Sequence, residues 1–192
     1  MDKVIQRYTR EALEQRAAAG ETPEMLFFWR NSPDRNGGLG KGCLSQWWEA
    51  EFTHQGQVYC CMEQMMMASK ARLFGDEEVL AEILACSDPA LIKKLGRKVR
   101  NFDGAAWDEW KFTFIVQGNI SKFTADAEMQ DFLLSTGDCV LVEASPYDCI
   151  WGIGMTEDNP QVSDPRQWRG KNLLGFALMQ ARDEIRSALA RE

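Results

Sequence analysis

Between Cys61 and Phe74 the chain reads Cys-Met-Glu-Gln-Met-Met-Met-Ala-Ser-Lys-Ala-Arg-Leu-Phe, without Gly or Pro and composed mostly of good helix formers. Seven residues make about two helical turns, so Glu63, Met67, Lys70 and Phe74 share one stripe. The alternative stripe, Met62, Met66, Ser69 and Leu73, is also largely apolar, and the helix is therefore expected to be buried nearly all round. A buried helix carrying an acid and an amine must either pair the two charges or use them. If they are used, desolvation pushes the Lys70 amine down toward neutrality, where the free base attacks a carbonyl or the masked aldehyde of an opened ribose and forms a Schiff base. Glu63 then moves protons or stabilises positive charge developing at the sugar, as carboxylates do in glycoside cleavage.

Two further segments bring chemistry-bearing residues together. In Glu143-Ala-Ser-Pro-Tyr-Asp-Cys-Ile-Trp-Gly-Ile-Gly154 an apolar run opens into a Pro- and Gly-rich loop, the usual place for function. Asp148 offers a carboxylate three residues from Trp151, whose ring either stacks on a base or sugar or belongs to the core. Gly152 and Gly154 would let backbone approach a ligand. In Trp168-Arg-Gly-Lys-Asn-Leu-Leu-Gly175, Asn172 either caps the last helix or leaves that helix's first amides free to hold a phosphate or carboxylate. Lys93, Lys94, Arg97, Lys98 and Arg100 form a basic run, which is either a solvated face or the place of a phosphate contact.

The elements that must position these residues follow from periodicity and breakers. Residues 1–20 read as a helix with Val4, Ile5, Tyr8 and Leu13 on one side, ended by Gly20 and Pro23, an extension packed on the domain or on a partner subunit. Residues 25–30 suit a strand and 31–42 a surface loop. The loop's glycines around Lys41 are no P-loop, which requires Gly where Arg35 sits and Ser or Thr where Gly42 sits. A strand over 49–52 turns at Gln55-Gly56 into Val58 and Tyr59. Helices are predicted over 61–74, 76–85, 89–100, 107–119, 125–134 and 172–190, with a buried strand over 139–144 where Val140, Leu141 and Val142 run together. The fold class is an α-rich α+β single domain, several helices around a small β-sheet, with an extension at 1–24 and the domain at 25–192.

Composition closes off several classes. With 192 residues, 45% of them hydrophobic, the chain can bury a sizeable core without staples. Twenty-two Lys and Arg against 29 Asp and Glu give a net charge of −7, the wrong sign for coating a polyanion. One histidine, His54, excludes multi-histidine metal sites and disfavours a Ser-His-Asp triad. Six cysteines contain no C-x-x-C pair, so they read as reduced thiols. No stretch has the form of a signal peptide or a membrane span, and a cytoplasmic location without membrane association is expected. Any catalysis falls to carboxylates, lysine and aromatics.

Taken in order, the segments resemble the NADAR family, also called YbiA-like. The resemblance rests on Phe28-Trp29, on Tyr59-Cys-Cys-Met-Glu63 leading to Ala68-Ser-Lys-Ala71, and on Leu73-Phe-Gly-Asp76. It continues through Lys94-Leu-Gly-Arg97, Asn101-Phe-Asp103 with Trp107, Lys122-Phe123 and Leu133-Leu-Ser-Thr-Gly-Asp138. Leu141-Val-Glu-Ala-Ser145 with Asp148, Trp151-Gly-Ile-Gly154, Trp168 and Gly170-Lys-Asn-Leu-Leu-Gly175 complete it, spanning roughly residues 26–186. Where the family has a Leu-Ser-Asn-Phe type segment, this chain has Leu44-Ser-Gln-Trp47 after a longer Gly-rich insertion, and residues 1–24 lie outside the resemblance.

The resemblance implies a YbiA-like fold and N-glycosidase chemistry, cleavage of the bond between a ribose anomeric carbon and a nitrogen. The family is linked to hydrolysis of the phosphoribosylamino-pyrimidine intermediates of riboflavin biosynthesis and to removal of ADP-ribose from guanine, including guanine in nucleic acid. No metal or organic cofactor is implied. On this basis Lys70 is the expected nucleophile, Glu63 its proton-transfer partner, and Asp148 a second acid-base or ribose-binding group. Trp29, Arg97, Trp107, Trp151 and Asn172 are the expected substrate-binding residues. The net charge leans toward a small nucleotide-like metabolite. The alternative is a module that binds ADP-ribose or an NAD derivative without turnover; it would need the same aromatics and arginine but no low-pKa lysine.

Overall fold

The computed structural model describes residues 2–191. Among the described residues seven α-helices surround two small two-stranded sheets, the α-rich α+β architecture expected, though with the strands divided. Helix α1 spans Arg10–Ala18, and strand β1 (Met25–Phe28) follows. After the loop and a short 3-10 turn (Lys41–Leu44), β2 (Phe52–His54) and β3 (Gln57–Tyr59) form an antiparallel hairpin. Its turn places Gln55 and Gly56 both at positive φ, which matches the twist of the flanking strands. The strand predicted over 49–52 therefore starts three residues later than expected.

Helix α2 (Met62–Leu73) runs through the centre and packs on α3 (Glu77–Leu84), α4 (Pro89–Gly96) and α5 (Gly104–Thr124). As its two apolar stripes predict, most of α2 is buried, including all four methionines. Helix α6 (Ala127–Ser135) then leads to β4 (Val140–Glu143), and α7 (Leu173–Leu189) packs on α5 and β4. Four successive helices, α3 to α6, begin behind aspartates, Asp76, Asp88, Asp103 and Asp126, whose carboxylates accept the first free amides. The cap at Asp103 starts α5 three residues before the predicted 107, and the helix continues past 119 to Thr124. Helix α4 ends at Gly96, short of the predicted 100.

Strand β4 pairs with β1 in parallel, Met25 opposite Val140 and Phe28 opposite Glu143. Its other edge meets no strand among the described residues. There Asn172, fully buried and in the left-handed conformation, donates from Nδ2 to Leu141 O at 2.9 Å and accepts the Glu143 N–H on Oδ1 at 2.9 Å. Gly175 allows this approach, since a Cβ there would lie 2.0 Å from the Leu141 carbonyl.

The extension departs from the expectation of one helix over 1–20. Residue 1 lies outside the described residues, and among 2–20 only Arg10–Ala18 is helical, capped by Thr9. Upstream, side chains from α5 and α7 take the backbone groups a helix would use. Val4 N donates to Thr113 Oγ1, Arg7 N donates to Gln180 Oε1, and Gln180 Nε2 donates to Ile5 O. Leu13 is buried, whereas Ile5 is exposed.

Candidate active site

The stripe of α2 that carries Glu63, Met67 and Lys70 lines a pocket of about 240 Å³. Ser45, Gln46 and Trp47 form one wall, Lys93, Gly96 and Arg97 of α4 and its end another, and Glu143, Asp148, Ile150 and Trp151 a third. Glycine lets α4 cross close over α2, because a Cβ on Gly96 would lie 1.9 Å from Met67 Sδ and push that side chain aside. The Gly96 carbonyl is thereby close enough to accept a hydrogen bond from Lys70 Nζ at 2.7 Å. That ammonium also sits 4.2 Å from the Phe102 ring centre. Burial first, and the neighbouring Arg97 charge second, hold the Lys70 pKa below that of an ordinary lysine.

Glu63 is 1% exposed and enters the pocket from the first turn of α2. One oxygen, Oε2, accepts from Trp47 Nε1 at 3.2 Å, and the other, Oε1, is buried without a hydrogen-bond partner. Desolvation raises its pKa to about 7, against the opposing pull of Lys93 and the Trp47 hydrogen bond. Glu143, the last residue of β4, likewise keeps Oε2 buried and unpartnered. Its pKa rises to about 8, through desolvation and then the nearby Asp148 charge. Asp148 Oδ1 accepts from Ile150 N and Trp151 N, both at 2.8 Å, which fixes the loop after β4. Two carboxyls that hold protons near neutrality thus face Lys70, Lys93 and Arg97 across one small cavity. Such a site can donate a proton, stabilise an oxocarbenium-like centre and attract an anion.

Of the residues singled out from sequence, the pocket brings together Glu63, Lys70, Asp148, Arg97 and Trp151. Three lie outside its lining. Trp107 stacks on Phe114 along α5, with ring centres 5.9 Å apart. Trp29 contacts Tyr147 at 6.0 Å and lines a separate open groove of about 840 Å³ with Arg30, Arg35, Lys41 and Glu157. Lys41 and Glu157 pair with each other across that larger groove, and it contains neither the amine nor the acids. Asn172 begins α7 without a side-chain cap, its amide being spent on β4 directly behind Glu143.

Sequence reasoning gave no role of their own to Glu143, Gln46 or Trp47, and took Lys93 only as one member of the basic run offered as a phosphate contact. Glu143 carried a usable signal, an acid directly after three consecutive buried strand residues. Lys93 stands four residues before Arg97, on the same helix face. The Trp47 bond to Glu63 joins segments sixteen residues apart and left no trace in spacing.

A model of the NADAR domain matches residues 27–186. N-glycosidase R617 of Acanthamoeba polyphaga mimivirus is 41% identical over 85% of this chain and 98% of its own length. The chloroplastic riboflavin biosynthesis protein PYRR of Zea mays is 32% identical over 56% of this chain and 16% of that longer protein. In fold, the chain is similar to the NMR structure of the Escherichia coli protein YbiA, with a TM-score of 0.71, 24% identity and 90% of each chain covered. No described helix is long and apolar enough to cross a membrane.

Proposed function

This chain belongs to the NADAR domain family, and on that premise we propose that its pocket hydrolyses the bond between ribose C1′ and a nitrogen of a nucleotide-like substrate through a lysine Schiff base. The enzyme class is N-glycosyl hydrolase. The observation that carries the reading is Glu63, a buried carboxyl with a free oxygen and a pKa of about 7, in one cavity with the desolvated Lys70.

In the first step the Glu63 carboxyl gives its proton to the departing nitrogen as the C1′–N bond breaks. The neutral Lys70 amine supplies the electron pair to C1′, and the leaving group departs with the transferred proton as a free amine or base. The ribose ring then opens: the C1′–O4′ bond breaks, O4′ takes a proton, and C1′ is left double-bonded to Lys70 Nζ. Water adds to this iminium with a carboxylate of the pocket as base, the C1′–Nζ bond breaks, and the aldehyde closes to the ribose hemiacetal. Asp148, which lines the same pocket, and Glu63, left ionised once it has given up its proton, are the carboxylates available to that water. Arg97 and Lys93 hold a phosphate at the rim, and Trp151 presents a flat wall to the sugar or base.

The substrate class favoured is a phosphoribosylamino-pyrimidine intermediate of riboflavin biosynthesis. A cavity of about 240 Å³ is at the small end for ligand sites and suits a phosphoribosyl group, the net charge is −7, and one relative is named for that pathway. ADP-ribosyl-guanine presents the same linkage and is the second substrate to test. The experiment is incubation with each substrate, the guanine adduct on an oligonucleotide, with borohydride present to reduce any imine. Base release with a reduced sugar adduct on Lys70 is expected, and Lys70→Ala is expected to lose both. Full turnover by Lys70→Ala would overturn the covalent route. Absence of release from either substrate by folded protein would leave a binding module.

A further inference from the structure

Lys122 is the one lysine of α5 that solvent does not reach at all, and the chemistry above does not use it. Among the described residues it forms no ion pair. Its ammonium instead donates to two backbone carbonyls of one loop, Cys43 O at 2.5 Å and Ser45 O at 3.1 Å, with the Phe123 ring centre 5.0 Å away. Burying a cation without a counter-ion opposes folding, and the Lys122 pKa falls to about 8 by desolvation; the Cys43 and Cys61 thiols beside it are pushed up by burial to about 11 and about 12 and carry no charge near neutrality. An apolar side chain there would avoid that penalty but leave the Cys43 carbonyl unpaired and Ser45 O with only the longer bond from Trp48 N, at 3.3 Å.

What the loop does next explains the arrangement. Immediately after Ser45, the Gln46 carbonyl accepts the Glu63 backbone N–H at 2.9 Å, and the Trp47 indole donates to Glu63 Oε2. Asn31 Nδ2 holds the far end of the loop at Trp47 O, while Lys122 holds the near end. We propose that Lys122 is a positioning residue of the active site, whose ammonium fixes the 43–47 loop so that the Trp47 indole meets the Glu63 carboxylate. It acts through Trp47 and does not line the pocket.

The Trp47 hydrogen bond favours ionised Glu63 and opposes its desolvation. Lys93 and Arg97 from α4 and its end, Glu143 and Asp148 from β4 and the loop after it, and Lys70 on the same helix complete the charges facing that carboxyl. Loosening the loop while these stay in place should therefore move the Glu63 titration upward. The test needs no substrate: in ¹⁵N-labelled full-length protein, the Trp47 indole cross-peak, assigned with Trp47→Phe, is followed from pH 5 to 9. In the wild type it should titrate near 7 with Glu63. In Lys122→Met the midpoint should rise by about one pH unit, the equivalent of one hydrogen bond, and the peak should shift toward that of a free indole. Lys122→Arg, which restores donors, should recover part of the shift. Ile115→Val, a core lesion on the same helix, should leave the midpoint unchanged.

If Lys122→Met does not fold, Lys122→Gln, with one amide donor, carries the same comparison. A folded Lys122 variant with the wild-type Trp47 titration overturns the proposal, as does an equal shift in Ile115→Val. The inference rests on Glu63 being the acid of the proposed reaction only for its kinetic corollary, a lower kcat with little change in KM. Failure of the substrate assay would leave the indole titration to decide the positioning role independently.

Discussion

Replacing Glu63 with glutamine should remove turnover and, above neutrality, make the protein more stable. In the folded protein the carboxyl titrates at about 7 against an ordinary 4.5, so between those values the native state holds a proton that the unfolded chain has released. Stability therefore falls as pH rises through this window, and the full penalty applies above pH 7. At about 1.36 kcal/mol per pH unit, the displacement amounts to about 3 kcal/mol. Glutamine keeps the shape without titrating, so Glu63→Gln should match the wild type within about 1 kcal/mol at pH 4.5 and exceed it by about 3 kcal/mol at pH 8. For a chain of this size that is about 6 to 12 °C in Tm. Urea unfolding at the two pH values, followed by far-ultraviolet circular dichroism, measures the difference, and the same samples should show turnover reduced about 10²- to 10⁴-fold, the worth of a positioned acid. A pH-independent difference, or a wild type more stable than the variant at pH 8, would mean that Lys93 holds Glu63 ionised. The carboxyl would then have no proton to give.

Lys93→Met removes the charge that most opposes protonation of Glu63, so the acid should titrate above 7 and the alkaline limb of the pH–rate profile should move upward. Gly96→Ala drives a Cβ into Met67; overpacking of about 2 kcal/mol against a helix-propensity gain of about 1 kcal/mol leaves a net loss of about 1 kcal/mol by urea unfolding. Activity should fall further than that loss implies, because Gly96 O holds Lys70. Asp103→Ala removes the α5 cap and should destabilise by about 1 kcal/mol, with kcat/KM unchanged once the protein is folded.

The helical stripe made the pairing of Glu63 with Lys70 legible, because their relation depends only on rise and turn along one segment. Which side of α2 would face a cavity was not legible, since both stripes are apolar and the choice is made by α4, whose Gly96 brings it within reach of Lys70. The hairpin at Gln55-Gly56 could be read locally for the same reason as the helix. Residues 4–7 could not: their backbone partners, Thr113 and Gln180, lie more than a hundred residues away, and helical periodicity there was overridden by side chains on α5 and α7. Asn172 looked like an ordinary helix cap because its type and place fit one. Only the edge of β4, left without a strand, explains why its amide turns the other way.

That edge bears on how the protein fails as well as how it works. A parallel pair of strands with an open side is a template on which another chain can add a strand and begin an aggregate. Here a single carboxamide takes the Leu141 carbonyl and the Glu143 N–H, and α7 lies over the opening, with Gly175 seated against Leu141. The hydrophobic run Val140-Leu-Val142 is thereby sealed from other molecules for as long as α7 stays docked. Intermolecular strand pairing through β4 must therefore wait for detachment of the last helix, so the same amide that sets the backbone of Glu143 also guards the chain against self-association.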